Sequence, residues 1–70
     1  MPKMIGVQST NISSIGYDSG AELLQVDFLN GSSYEYHGVP EAVWHEFLGA
    51  ASKGVYLHRS IKPFYLAYRL

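Results

Sequence analysis

Seventy residues with 47% hydrophobic side chains, 16% charge and no cysteine describe one small folded domain that has neither disulfides nor thiolate ligands for zinc or iron–sulfur clusters, which fits a reducing cytoplasm. No apolar run approaches the roughly 18 residues a membrane span needs, and the opening MPKMIGVQST lacks the apolar core of a signal peptide, so a soluble protein without a membrane partner is expected. The net charge of -1 excludes a uniformly basic surface, but it hides an asymmetry: residues 1 to 46 carry all six acids against Lys3, whereas residues 47 to 70 carry Lys53, Arg59, Lys62 and Arg69 with no acid.

No internal repeat, linker or low-complexity tract interrupts the chain, so residues 1 to 70 are read as one domain. In VQSTNISSIGYD, Val7, Ile12, Ile15 and Tyr17 stand among Ser, Thr and Asn, which predicts two short extended pieces joined by a bend near Asn11 to Ser14. Asp18, Ser19 and Gly20 form a turn signal, and ELLQVDFL then alternates Leu24, Val26 and Phe28 with Gln25 and Asp27 as a half-buried strand does. Asn30 and Gly31 mark the next turn, and SSYEYH alternates again.

Two registers compete for that hairpin, and they send Tyr34 and Tyr36 to opposite faces. A two-residue Asn30-Gly31 loop sets Tyr34 across from Asp27 and Tyr36 across from Gln25, building an aromatic platform in solvent. A three-residue loop with Gly31 in a left-handed bulge sets Tyr34 against Val26 and Tyr36 against Leu24, in the core. Burial favours the second, because each large apolar side chain contributes about 1.5 to 3 kcal/mol when covered.

Pro40 opens a helix through PEAVWHEFLGAA, where Val43, Trp44, Phe47, Leu48 and Ala51 form one apolar stripe and Glu41 sits in the first turn. Ser52 is a candidate N-cap for a second, shorter helix that stops near Ile61, since Lys62 precedes Pro63. The tail FYLAYRL alternates as an extended segment returning to a sheet edge, with a frayed helical end as the alternative. The fold class is therefore α+β: a small antiparallel β-meander with two C-terminal helices packed on one face and a final extended segment.

The order Val7-Gln8-Ser9, Asn11-Ile12, Ile15-Gly16-Tyr17-Asp18, Leu24-Gln25-Val26-Asp27-Phe28, Gly31, Tyr34-Glu35-Tyr36, Val39-Pro40, Ser52-Lys53-Gly54 and Ile61-Lys62 resembles the KTSC domain. That family takes its name from the C-terminus of some lysyl-tRNA synthetases and also occurs as small stand-alone bacterial and phage proteins. The resemblance implies RNA binding as the function and gives Tyr34, Tyr36 and Gly54 as family motif positions with a structural role.

The residues offer little for catalysis. His37, His45 and His58 fall on three separate elements without ligand spacing, no P-loop is present, and no enzymatic activity, metal or cofactor is expected. Glu41 and His45, four apart, are placed to pair on the first helix. Binding remains: Lys53, His58, Arg59, Lys62 and Arg69 interleave with Tyr56, Tyr65 and Tyr68, a mixture that suits RNA, whose phosphates take cations and whose bases take aromatic faces. Within it Lys53, His58, Arg59, Lys62, Arg69 and Tyr65 are the candidate contacts. The competing class is a protein-interaction module, as a homodimer through a sheet edge or with another protein partner.

Overall fold

A computed structural model describes residues 2–70. Five antiparallel strands follow one another across a single sheet in chain order: β1 (Met4–Gly6), β2 (Ile12–Asp18), β3 (Leu23–Phe28), β4 (Ser33–His37) and β5 (Leu66–Arg69). Between β4 and β5 the chain makes α1 (Glu41–Gly49) and α2 (Lys53–Tyr56), and the latter runs on into a π-helical turn, Leu57–Ile61. The tail is thus a strand and not a frayed helix, and the α+β meander expected from the pattern is the fold.

The hairpin register is the one burial favours. Phe28 donates its N–H to the Ser32 carbonyl at 2.8 Å, Gly31 donates to the Phe28 carbonyl at 3.0 Å, and Gly31 has φ 92°. These bonds close a three-residue loop whose last position needs a positive φ, which glycine adopts at no steric cost. Val26 then pairs with Tyr34 and Leu24 with Tyr36. Tyr36 is 2% exposed, and Tyr34 is half-buried with its ring edge-on to Phe28 at 5.7 Å.

One expectation is corrected at β2. The chain bends at Thr10 and Asn11, so the expected joint is met only at its first residue: the strand has begun by Ile12, and its pairing shifts by one residue between Ile12↔Phe28 and Ser14↔Asp27. The bulge has a packing reason. Ile12 and Ile15 are an odd number of residues apart, so a regular strand would point them to opposite faces; the extra residue lets both enter the core fully buried.

That core joins Ile12, Ile15, Leu24, Val26 and Tyr36 of the sheet to Val39, to Phe47 of α1 and to Leu57 and Ile61 of the π turn. On α1, Val43, Trp44 and Leu48 flank Phe47 as half-buried packing, whereas Ala51 lies beyond the helix end and is exposed. Pro40 occupies the N-cap position, φ -68° and ψ 154°, one residue before the first helical turn in which the sequence places it. Ser52 caps α2, its Oγ accepting from the Val55 N–H at 3.3 Å. The helix ends at Ile61 as expected but widens on the way, with the Lys62 N–H reaching five residues back to the Leu57 carbonyl at 2.8 Å. Leu57 and Ile61, four residues apart on one face of the helix, are both buried.

The sheet's other face is polar around Asp27, with Gln25 and Ser14 both donating to its carboxylate at 3.1 and 3.3 Å. At its β1 side, Gly16 lies under β1: a Cβ there would meet the Met4 sulfur at 2.6 Å and the Lys3 carbonyl oxygen at 2.8 Å. The sulfur can swing aside, but the carbonyl moves only with the strand. Gly16→Ala is accordingly expected to destabilise by about 1 to 3 kcal/mol, the usual cost of overpacking. A shift of the urea midpoint at unchanged m-value is the check.

Candidate nucleic-acid interface

The hairpin turn and the bend before β2 are tied together, since Leu29 donates its N–H to the Asn11 carbonyl at 2.9 Å. Ser9 fixes the bend, its Oγ accepting from the N–H groups of Asn11 and Ile12 at 3.3 Å each while donating to Asn11 Oδ1 at 3.1 Å. Asn30 fixes the turn, its Oδ1 accepting from the Ser32 N–H at 3.0 Å and the Ser32 hydroxyl at 2.6 Å. These two short loops and Lys62, just past the π turn, border an open cleft of about 430 Å³ whose walls also include Phe28 and Tyr34.

Two neighbours share its walls. One, about 360 Å³, continues past Phe28, Tyr34 and Lys62 to Tyr36 and Ala67. The other, about 440 Å³, lies across Thr10 and Asn11 and is bordered by Ser52, Gly54, Val55, His58 and Arg59. No carboxylate lines any of the three. The Lys62 ammonium stands 5.9 Å above the Phe28 ring, a cation–π distance. Arg69 is the cross-strand partner of Tyr34, so strand alternation puts it on this face as well.

The structure thus gathers Lys62, His58 and Arg59 on the walls of adjoining clefts and sets Arg69 on the same face beside Tyr34, lining none of them. It does not bring the other two candidates into them. Lys53 turns back to donate to the Ala50 carbonyl at 2.7 Å, satisfying the end of α1, and Tyr65 is half-buried against the core. Gly54 has a plain packing role, because a Cβ there would lie 2.7 Å from Asn11 Oδ1. Phe28, Thr10, Asn11 and Asn30 line the clefts, although the sequence reading gave Phe28 only to the core, Asn11 and Asn30 only to a bend and a turn, and Thr10 no role.

Electrostatically the two faces differ. Asp18, Asp27 and Glu35 alternate onto the outer face of the sheet, away from the helices. There Glu35 pairs with His37 at 2.8 Å. Glu41 and His45 make the expected exposed contact at 3.4 Å, and Glu46 accepts from the Tyr56 hydroxyl at 2.8 Å. Among the described residues no lysine or arginine is paired with a carboxylate, which leaves the cations round the clefts unneutralised. No group of three or more His, Cys, Asp or Glu capable of holding a metal occurs among the described residues, nor is any helix long and apolar enough to cross a membrane.

Burial, with the Glu46 contact behind it, pushes the Tyr56 phenol up to about 12. Burial, seconded by the carboxylates of Glu22, Glu41 and Asp18, also raises Tyr17, and burial followed by Tyr34 raises Tyr36. A phenol whose folded pKa lies above its unfolded value stabilises the fold in full below about pH 10, and that contribution is lost as pH climbs toward 12. Stability is therefore expected to fall between pH 10 and 12. Tyr56→Phe should flatten part of that fall in urea titrations at each pH.

A five-stranded meander covered by two helices, with an acid-free cleft at one end of its covered face, defines a small α+β domain. The chain belongs to the KTSC domain family, whose model matches residues 8–65. It is 35% identical over 66 residues to an uncharacterized protein of Stutzerimonas stutzeri, covering 94% of this chain and 93% of that one. A crystal structure of a KTSC domain protein from Yersinia pestis superposes with a TM-score of 0.93 at 35% identity, over 100% of this chain and 99% of the other. A lysine–tRNA ligase of Trichormus variabilis is 43% identical over 51 residues, which are 73% of this chain but 9% of the ligase.

Proposed function

We propose that the chain is a non-catalytic RNA-binding module that works in the bacterial cytoplasm, the absence of cysteine suiting a reducing compartment. The observation that carries this reading is the cleft of Phe28, Tyr34 and Lys62, flanked by His58, Arg59 and Arg69 and lined by no carboxylate. An unstacked base would lie against the aromatic wall while the cations take the adjoining phosphates. The similarity to part of a lysine–tRNA ligase adds support, since that enzyme handles an RNA. The acidic outer face would repel the same ligand.

The reading predicts a modest, salt-dependent affinity. With two to four phosphates neutralised on a single strand, log affinity should fall against log salt with a slope of about -1.4 to -2.8. Lys62→Gln and Arg59→Gln should each reduce the slope by about 0.7 and leave thermal melting unchanged. Fluorescence anisotropy of a labelled single-stranded RNA at several salt concentrations measures both. Undetectable binding at low salt, or substitutions that leave the slope unchanged, would overturn it.

A further inference from the structure

The two edges of the sheet are built differently. β1 is three residues long, follows Pro2 and Lys3, and is pressed onto Gly16. Short length, a lysine and a proline are the usual devices that keep an edge from pairing further. β5, one residue longer, contains neither a lysine nor a proline and is pressed onto no glycine. All four of its residues are exposed, and Leu66, Tyr68 and Leu70 are 65%, 50% and 61% exposed, at alternate positions on the outer face. Tyr68 touches only the ring of His37, edge-on at 4.7 Å, among the aromatic contacts.

The backbone is equally open. Leu70 donates its N–H to the Ser33 carbonyl at 2.9 Å, and Tyr68 and Leu66 are the partners of Glu35 and His37. By the alternation of an antiparallel ladder, the N–H and C=O groups of Leu66, Tyr68 and Leu70 turn toward β4, and those of Ala67 and Arg69 turn outward with no strand to receive them.

We propose that β5 pairs with β5 of a second copy of this chain, antiparallel and centred on Tyr68, making one continuous sheet of two domains. The occupant follows from the strand's own sequence. About a two-fold axis at Tyr68, Leu66 meets Leu70 of the second copy and Tyr68 meets Tyr68, so the exposed apolar stripe covers itself. On the opposite face Arg69 meets Ala67, which keeps the two guanidinium groups from facing each other. The outward amides of Ala67 and Arg69 supply four backbone hydrogen bonds between the copies. A centre one residue earlier would need the N–H of Tyr65, which is already bonded to the Ile61 carbonyl at 3.1 Å. This pairing does not depend on RNA.

Light scattering or sedimentation of the purified protein without RNA, over a wide concentration range, tests it. The expected mass rises from one chain toward two as concentration increases. Ala67→Pro removes an N–H that β4 does not use, and should leave a single-chain mass at every concentration with the thermal transition retained. Should that variant fail to fold, Tyr68→Lys carries the test: it places two cations together on the axis and should weaken association at least about tenfold, with recovery at high salt. A native protein that stays a single chain at the highest concentration, or a doubled mass that survives both folded variants, would overturn the proposal.

Discussion

Tyr36→Ala is expected to destabilise the domain by about 3 to 5 kcal/mol, the range for removing a large aromatic from a core. Tyr36 is 2% exposed and lies between Leu24 on β3 and Ala67 on β5, so its ring is held from both sides of the strand and from the helical layer above. A loss of this size is of the order of the whole stability of a small domain. The variant should therefore be largely unfolded at 37 °C and is best measured by urea titration in the cold. Tyr34→Ala, at the half-buried position, should cost clearly less. A change below about 1 kcal/mol for Tyr36→Ala would instead be a surface result and would sink the buried register.

Phe47→Ala should have a comparable effect, about 3 to 5 kcal/mol. Phe47 is 0% exposed and the sole buried residue of α1, so it is the main anchor of that helix to the sheet. Its ring also stacks on Tyr56 of α2 at 5.6 Å and 22°. The two helices thus share one aromatic contact, and Phe47→Ala should loosen both. In a double-mutant cycle with Tyr56→Ala the losses should fall short of additive, because the contact can be lost only once. Phe47→Leu, which retains most of the volume, should be much milder.

What the sequence discloses is what repeats at short range. Leu24, Val26 and Phe28 alternate with polar residues, and once burial is weighed against turn preference the same rule places Tyr36 inside. Helix ends are similarly readable from Pro40, Ser52 and Pro63. Two features break the period and so escape it. Asn11 to Ser14 read as a joint, and only the sheet shows that a bulge within that stretch brings Ile12 and Ile15, an odd number of residues apart, to one face. Leu57 to Ile61 reads as ordinary helix because a π turn differs from it by one hydrogen-bond step. β1 leaves almost no pattern, since Met4 and Ile5 sit between Lys3 and Gly6 and are held by Gly16, a residue far along the chain. The cleft is hidden for the same reason. Its cations are visible as a run without acids, but Thr10, Asn11 and Phe28 join Lys62 only through tertiary structure.

Strand order equal to chain order has a kinetic consequence. β1 to β4 form three successive neighbouring pairs, each closed by a short connection, so their contacts can form early and with little loss of chain entropy. β5 is the exception, because Tyr34 must find Arg69 across both helices. During synthesis β4 has no partner on that side until Leu66–Arg69 have left the ribosome. The nascent chain therefore carries a bare strand beside a half-covered Tyr34 for the whole time the helical layer is being made, and the docking of β5 is the step that ends its exposure to wrong pairing.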